Sequence, residues 1–394
     1  MKRPHYISLF SGAGGLDIGL ERAGFKAVSL CEIESVFCDT LRENQQFRHA
    51  DGIDYFADAT IHNADICDVA GRDLTSGEEI DVVVGGPPCQ SFSSAGRQLS
   101  VLDSRGGLVR EFLRLVDELK PKMFLFENVR GLVTARDAFG EPGGVICDLI
   151  EQFHEIGYSC RATLLNAADY GSYQRRVRCF LLASRQGRAP LFPEPTHQKN
   201  ENLFFQKWRS LGEFLNKFAD NDQSSYTFPT EELGRQLINI PDGSGLKSRG
   251  KAEPTRPNGH WGYRQGTFIA DQSLPARTVT GSASQDWIRH NGLLRRLTLR
   301  EVMLLQGFPE DWRIIGTKTQ KYKQVGNAVP AMFGELLGAA MKKHLADYPT
   351  EPPERIELPK SFRGYIEYTK KDHARNAGSR SVHRRFKGGM NKAL

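Results

Sequence analysis

The chain has 394 residues, 39% of them hydrophobic, and a formal net charge of +6, which suits one large core with a second domain or two medium domains. No apolar run approaches the length of a membrane span, and the opening MKRPHYISLF lacks the apolar stretch and cleavage site of a secretion signal, so a soluble, cytoplasmic protein is expected. Seven scattered cysteines, odd in number and without a CxxC pair, argue for reduced thiols and against a disulfide framework or a metal site.

In chain order, apolar runs at 6–10, 26–31, 81–86, 122–129, 158–165 and 178–184 predict strands buried on both faces. Between them, Leu108, Phe112, Leu115, Val116 and Leu119 keep helical spacing over 107–119, as do Val145, Leu149, Ile150 and Phe153 over 143–156. Strands separated by crossover helices predict an α/β fold with a doubly wound, mostly parallel sheet. From about 185 to 275 the periodicity fades into Gly, Pro, Asn, Ser and isolated basic residues, which predicts a loop-rich second domain. Helical spacing returns in LTLREVMLL and at 331–345, and YPTEPPERIELPK reads as a linker. Residues 355–394 hold eleven Lys or Arg against three Asp or Glu, a surplus of +8 that leaves −2 for the rest of the chain. With few apolar side chains for a core, this tail is expected to be mobile, either as a solvated end or as a non-specific clamp on nucleic acid.

Ligands of an open parallel sheet bind at the carboxyl ends of its strands. The first strand runs into FSGAGGLDIG, where Gly12, Gly14 and Gly15 permit close backbone approach before a helix, but the spacing is not GxGxxG and no GK[ST] follows. Glu32 ends the second strand, suited to the two hydroxyls of a ribose, and Asp65 lies in IHNADI, suited to an exocyclic adenine amine. Together they suggest an adenosyl ligand without phosphates; the same residues also fit a plain strand-to-helix turn with solvated carboxylates. Pro87 and Pro88 force the chain out of the sheet just before Cys89, and the next strands deliver Glu127 from ENV and Arg176 and Arg178 from QRRVR to the same edge. The other six cysteines are expected to be buried and inert, and His5, His49, His62 and His154 to lie at the surface.

These residues resemble the DNA (cytosine-5)-methyltransferases of bacterial restriction-modification systems. FSGAGGLDIG looks like that family's cofactor loop, GGPPCQSFS its nucleophile loop, ENV its carboxyl motif and QRRVR its arginine motif, while RRLTLREVMLLQGFP (295–309) and YKQVGNAVP (322–330) match its two late motifs, all in the family's order. The resemblance implies a catalytic and cofactor-binding domain over 1–184, completed by 322–347, and a target-recognition domain over 185–321, while charge alone marks a basic tail over 348–394. It implies catalysis by Cys89, Glu127, Arg176 and Arg178, with S-adenosyl-L-methionine, released as S-adenosyl-L-homocysteine, held by Phe10, Gly12, Ala13, Gly14, Gly15, Glu32, Ile33, Asp65, Ile66, Pro88, Asn327 and Ala328. In that chemistry Cys89 adds to carbon 6 of a flipped cytosine, Glu127 acts at ring nitrogen 3, and Arg178, supported by Arg176, acts at oxygen 2.

The Gly- and Ser-rich stretch 91–107 is then a lid over the flipped base, or an ordinary surface loop. Residues 185–290 would read bases in the major groove of double-stranded DNA. A monomer in the bacterial cytoplasm, associated with the nucleoid through DNA, with or without an independently acting restriction endonuclease beside it, completes the expectation. An RNA methyltransferase acting on a tRNA cytosine would keep the same motifs, although the long recognition segment favours DNA. A thiol hydrolase would need a histidine base, and no histidine lies in the matched motifs.

Overall fold

The structure is a computed structural model that describes residues 3–88, 107–137, 139–246, 267–360, 362–369 and 371. Its centre is a seven-stranded sheet in the order β3-β2-β1-β4-β5-β7-β6, built from β1 (His5–Leu9), β2 (Lys26–Glu32), β3 (Thr60–Asn63), β4 (Val82–Gly85), β5 (Met123–Val129), β6 (Ser159–Asn166) and β7 (Val177–Ser184). Strands β1 to β5 pair in parallel, and β7 runs antiparallel between β5 and β6. The mostly parallel sheet is as expected, and the reversal has a simple cause. Only residues 167–176 join β6 to β7, too few for the helical crossover that a parallel neighbour requires. The sequence reading missed β3, a four-residue edge strand with no buried residue.

Side chains alternate between the two faces of the sheet, and each face is covered. Tyr6, Val82, Val84, Met123 and Leu125 join one core with α1 (Gly15–Arg22), α2 (Ser35–Gln45) and, from the far end of the chain, α10 (Ala331–Ala346). Ile7, Val83, Phe124 and Phe126 join the other with α4 (Gly107–Leu119) and α5 (Gly144–Glu155), while the short α3 (Gly71–Leu74) places Leu74 at its margin. Strands buried on both faces read as unbroken apolar runs, which is why six of the seven were legible.

Residues beyond β7 do not form a separate body. The inner layer of the second region, Leu211, Phe214 and Leu215 of α6 (Leu211–Phe218) with Ile288 and Leu297, belongs to the first core. Among the described residues, only Leu237, Ile269 and Trp287 make a core of their own, where α7 (Glu231–Leu237) meets a small sheet of β10 (Ser244–Gly245), β11 (Phe268–Ile269), β12 (Trp287–His290) and β13 (Leu293–Arg296). A further strand pair, β8 (His197–Gln198) and β9 (Gln206–Lys207), stands apart from it. Helices α8 (Leu299–Leu305) and α9 (Lys318–Asn327) then return the chain to the first core.

Three local expectations fail for physical reasons. The start of the tail is packed on the body, because Leu358, Phe362, Tyr365 and Ile366 follow helical spacing and join the second core, with Phe362 buried and Arg130 donating to the Tyr365 hydroxyl at 2.6 and 3.0 Å, while residues 372–394 lie outside the described residues. His49 is buried, stacked on Trp312 with its ring nitrogens at Asp311 and the Asn44 carbonyl, and His5 is buried as well. Cys31, Cys38, Cys160 and Cys179 are buried, but Cys67 and Cys147 are exposed.

The tightest helix contact is that of α1 with α10. A Cβ on Gly334 would stand 2.1 Å from the Leu16 carbonyl oxygen, and one on Gly19 would stand 1.9 Å from that of Ala331. Substitution Gly334→Ala is expected to destabilise the protein by about 1–3 kcal/mol through overpacking, despite the better helix propensity of alanine. Urea denaturation checks this, and an unchanged midpoint would reject the close-contact argument.

Candidate active site

The carboxyl ends of β1, β2, β4 and β5 meet at one edge of the sheet. After β1 the chain turns sharply, with Phe10, Gly12 and Gly14 at φ of 57°, 58° and 81°. Phe10 bears that strain without the freedom of glycine, a cost that concentrates at ligand sites. A Cβ on Gly12 would meet no atom within 4 Å, whereas one on Gly15 would stand 2.4 Å from the Val329 carbonyl oxygen and 2.9 Å from Ala328 Cβ. The loop is thus a cradle, open along Gly12 and walled by residues 328–329 where the chain passes from α9 to α10.

At the end of β2, Glu32 is only 8% exposed, and its two carboxylate oxygens accept the N–H groups of Gly12 at 2.8 Å and Glu34 at 2.9 Å. Burial raises its pKa and these N–H donors lower it. Each oxygen retains capacity for another donor. Ile33 beside it is 60% exposed, an apolar shelf next to an acceptor. Asp65 accepts the Cys67 N–H at 3.0 Å and caps a single turn that begins at the buried Ile66. Ala13 is buried, and Asn327 is exposed where α9 ends. An adenosyl group fits this set: carboxylates for hydroxyl and amine donors, an apolar shelf, and backbone open to close approach.

The second part of the site lies on β4, β5 and β7. Glu127 is 8% exposed and receives Arg178 Nε at 3.0 Å. Burial lifts its carboxyl above the usual range, more strongly than the Arg178 and Arg176 guanidiniums depress it. Asn128 donates to the Pro87 carbonyl at 3.2 Å, so β5 itself fixes the heading of the chain as it passes Pro87 and the exposed Pro88 toward Cys89. Cys89 and residues 90–106, most of the expected lid, lie outside the described residues.

The two arginines part company. Arg178 faces Glu127, but Arg176 is fully buried and donates to the carbonyls of Val279 at 2.8 Å and Gly326 at 2.9 Å. Two of its guanidinium nitrogens are therefore spent on main chain, and Nε has no partner among the described residues. Gln174, also fully buried, accepts the Val279 N–H at 3.0 Å and donates to Gln306 at 2.9 Å, and Gln306 donates to the carbonyls of Val325 at 2.7 Å and Ala328 at 3.1 Å. Asn128, Gln174 and Gln306 were not singled out from sequence, although each sits inside a quoted motif.

Comparisons with known proteins agree with this arrangement. The model of a family described as C-5 cytosine-specific DNA methylase matches residues 5–343. The chain is 32% identical over 349 residues to the Type II methyltransferase M1.HphI of Haemophilus parahaemolyticus, covering 86% of each. It is 30% identical over 345 residues to M.NgoMIV of Neisseria gonorrhoeae, covering 86% of this chain and 97% of that protein. Two solved structures, the methyltransferase EhMeth of Entamoeba histolytica (TM-score 0.60, 17% identity, 88% of this chain and 99% of that one) and the Dnmt2 methyltransferase of S. pombe (TM-score 0.58, 18%, 86% and 99%), share the fold. With the family match running almost from end to end, the chain belongs to the C-5 cytosine-specific DNA methylase family.

Proposed function

We propose that the enzyme methylates carbon 5 of a cytosine flipped out of a specific duplex sequence, with Cys89 as nucleophile and S-adenosylmethionine as donor. The observation that carries this reading is the buried Glu127–Arg178 pair, set beside the two prolines that lead into Cys89. Phe10, the glycine loop, Glu32, Ile33, Asp65, Ile66, Pro88, Asn327 and Ala328 are the residues that would hold the donor, with Glu32 taking the ribose hydroxyls and Asp65 the adenine amine. When bound, S-adenosylmethionine supplies an electrophilic methyl on a sulfonium.

Carbon 5 of cytosine is a poor nucleophile until carbon 6 has gained an electron pair. The Cys89 thiolate adds there, forming a C–S bond, while the protonated Glu127 carboxyl hydrogen-bonds ring nitrogen 3 and takes up the charge that addition puts on the ring. A carboxyl lifted by burial keeps its proton more readily, which suits this task. The Arg178 guanidinium holds Glu127 in place and, at oxygen 2, stabilises the same charge. After methylation, loss of the proton on carbon 5 and expulsion of the Cys89 thiolate restore the aromatic ring. Duplex DNA is favoured over tRNA because the family description names DNA and the described part of the second region is long.

Substitution Cys89→Ser should abolish methyl transfer while leaving cofactor binding intact, since a serine hydroxyl is far less ionised than a thiol. Bisulfite sequencing of DNA from cells expressing each form reads activity and sequence context together, and methylation by the serine variant would sink the mechanism. Substitution Glu127→Gln retains a hydrogen-bonding amide but no transferable proton, and should slow single-turnover chemistry roughly a hundredfold; a change confined to cofactor affinity would move Glu127 to another role. For Glu32→Ala, calorimetry should show S-adenosylmethionine binding weakened by about 1.5–3 kcal/mol. An unchanged dissociation constant would take the ribose away from Glu32.

A further inference from the structure

Beyond the active site, one feature of the second region resists explanation by packing. Leu203 and Phe204 stand side by side at 98% and 85% exposure in the loop that joins β8 to β9. The loop is braced: the Asn202 side chain accepts the N–H groups of Phe204 at 2.8 Å and Phe205 at 2.9 Å, and the Asn202 N–H reaches the Phe205 carbonyl at 3.1 Å. Two large apolar side chains are thus held in solvent by a turn whose polar groups are satisfied. That arrangement gains nothing for the isolated protein and marks a contact surface.

The location and charge of the loop select its partner. Its base is tied to residues 167–170, with the Thr196 N–H on the Asp169 carbonyl at 2.9 Å, Trp208 Nε1 on Asp169 at 2.8 Å and the Tyr170 hydroxyl on the Pro193 carbonyl at 2.9 Å. The same connection continues into Arg176 and Arg178, so the loop rises from the catalytic edge of the sheet. At that edge Asn166 lies two strand spacings, about 10 Å, from Val129 at the end of the Glu127 strand. Lys199, Lys207 and Arg209 flank the tip, all exposed, against the single acid Glu201. Apolar side chains between cations match a base step between phosphates.

We propose that Leu203 and Phe204 form a wedge that enters a base step beside the target cytosine, with Lys199, Lys207 and Arg209 on the adjoining phosphates. Removing a base from the stack costs free energy, and a wedge that stacks on the exposed neighbour offsets part of that cost. This rests on duplex DNA being the substrate, and it assigns to this loop an apolar role distinct from hydrogen-bonded base reading.

The test uses the full-length enzyme and a duplex carrying the sequence that bisulfite mapping identifies. Variants Phe204→Ala and the pair Leu203→Ser with Phe204→Ser alter only exposed side chains, so the thermal midpoint and S-adenosylmethionine affinity should not move. The wedge requires kcat/KM on the intact duplex to fall by about 5- to 100-fold, the span produced by losing a base-stacking contact. It also requires Phe204→Trp to retain activity, and the defect to shrink to under about threefold on a duplex whose target cytosine faces an abasic site, where the stack is already broken. Unchanged kcat/KM, or an equal defect on the weakened duplex, would overturn the wedge. So would concentration-dependent self-association of the wild type that the double variant loses, since the tip would then serve a second copy. If the wild type itself methylates no duplex, the DNA reading fails instead.

Discussion

A guanidinium with no access to water must be surrounded by acceptors, and Arg176 draws its acceptors from chain 103 and 150 residues downstream. Much of the molecule depends on that demand. It fixes the segment before β7 against Val279, where the second region leaves its small sheet, and against Gly326 near the end of α9. Gln174 and Gln306 repeat the pattern with amides, so three segments distant in sequence share one dry polar seam. Each group in the seam would cost free energy if its partner moved, and apart from the Gln174–Gln306 bond the partners are main-chain atoms that cannot swing away.

The seam has consequences at both halves of the site. On the cofactor side, Ala328 and Val329 can wall the glycine loop only if the end of α9 is held where Arg176 and Gln306 hold it. The Gly19 and Gly334 contact then carries the same restraint into α10, which explains how a helix near the end of the chain completes a layer begun by the first. On the chemical side, β7 must run antiparallel to bring Arg178, at its start, level with the end of β5. Had β7 been parallel, its first residues would lie at the opposite edge and Glu127 would have no cation beside it. The short 167–176 connection therefore accounts for the reversed strand, the buried arginine and the tip-bearing loop that is anchored on it.

What could be read from sequence was what repeats along the chain or gathers in a short motif. Apolar runs announced six strands, and the glycine loop, the two prolines and ENV announced the sheet edge. What could not be read was what depends on distant partners. Nothing local distinguishes Arg176 from Arg178, yet one meets a carboxylate and the other a set of carbonyls. His49 was expected at the surface because its stacking partner Trp312 lies far along the chain. The tail misled through composition: its basic residues hid the spacing of Leu358, Phe362, Tyr365 and Ile366, whose burial requires the second core to be present.

The division of cores also bears on where the chain can accept change. The inner layer of the second region is part of the main core, whereas its outer sheet rests on Leu237, Ile269 and Trp287, helped by cations over rings such as Arg296 on Trp287 and Arg277 on Phe268. A small satellite core tolerates replacement of its loops at little cost to the whole, because few of its contacts are shared with the catalytic sheet. The link between the two is the run from Ala276 to Val279, which pairs with the segment before β7 and supplies the carbonyl that Arg176 requires. Substitutions on the satellite side of that run leave the seam untouched, while those on the near side disturb the main chain that the one buried charge of Arg176 holds.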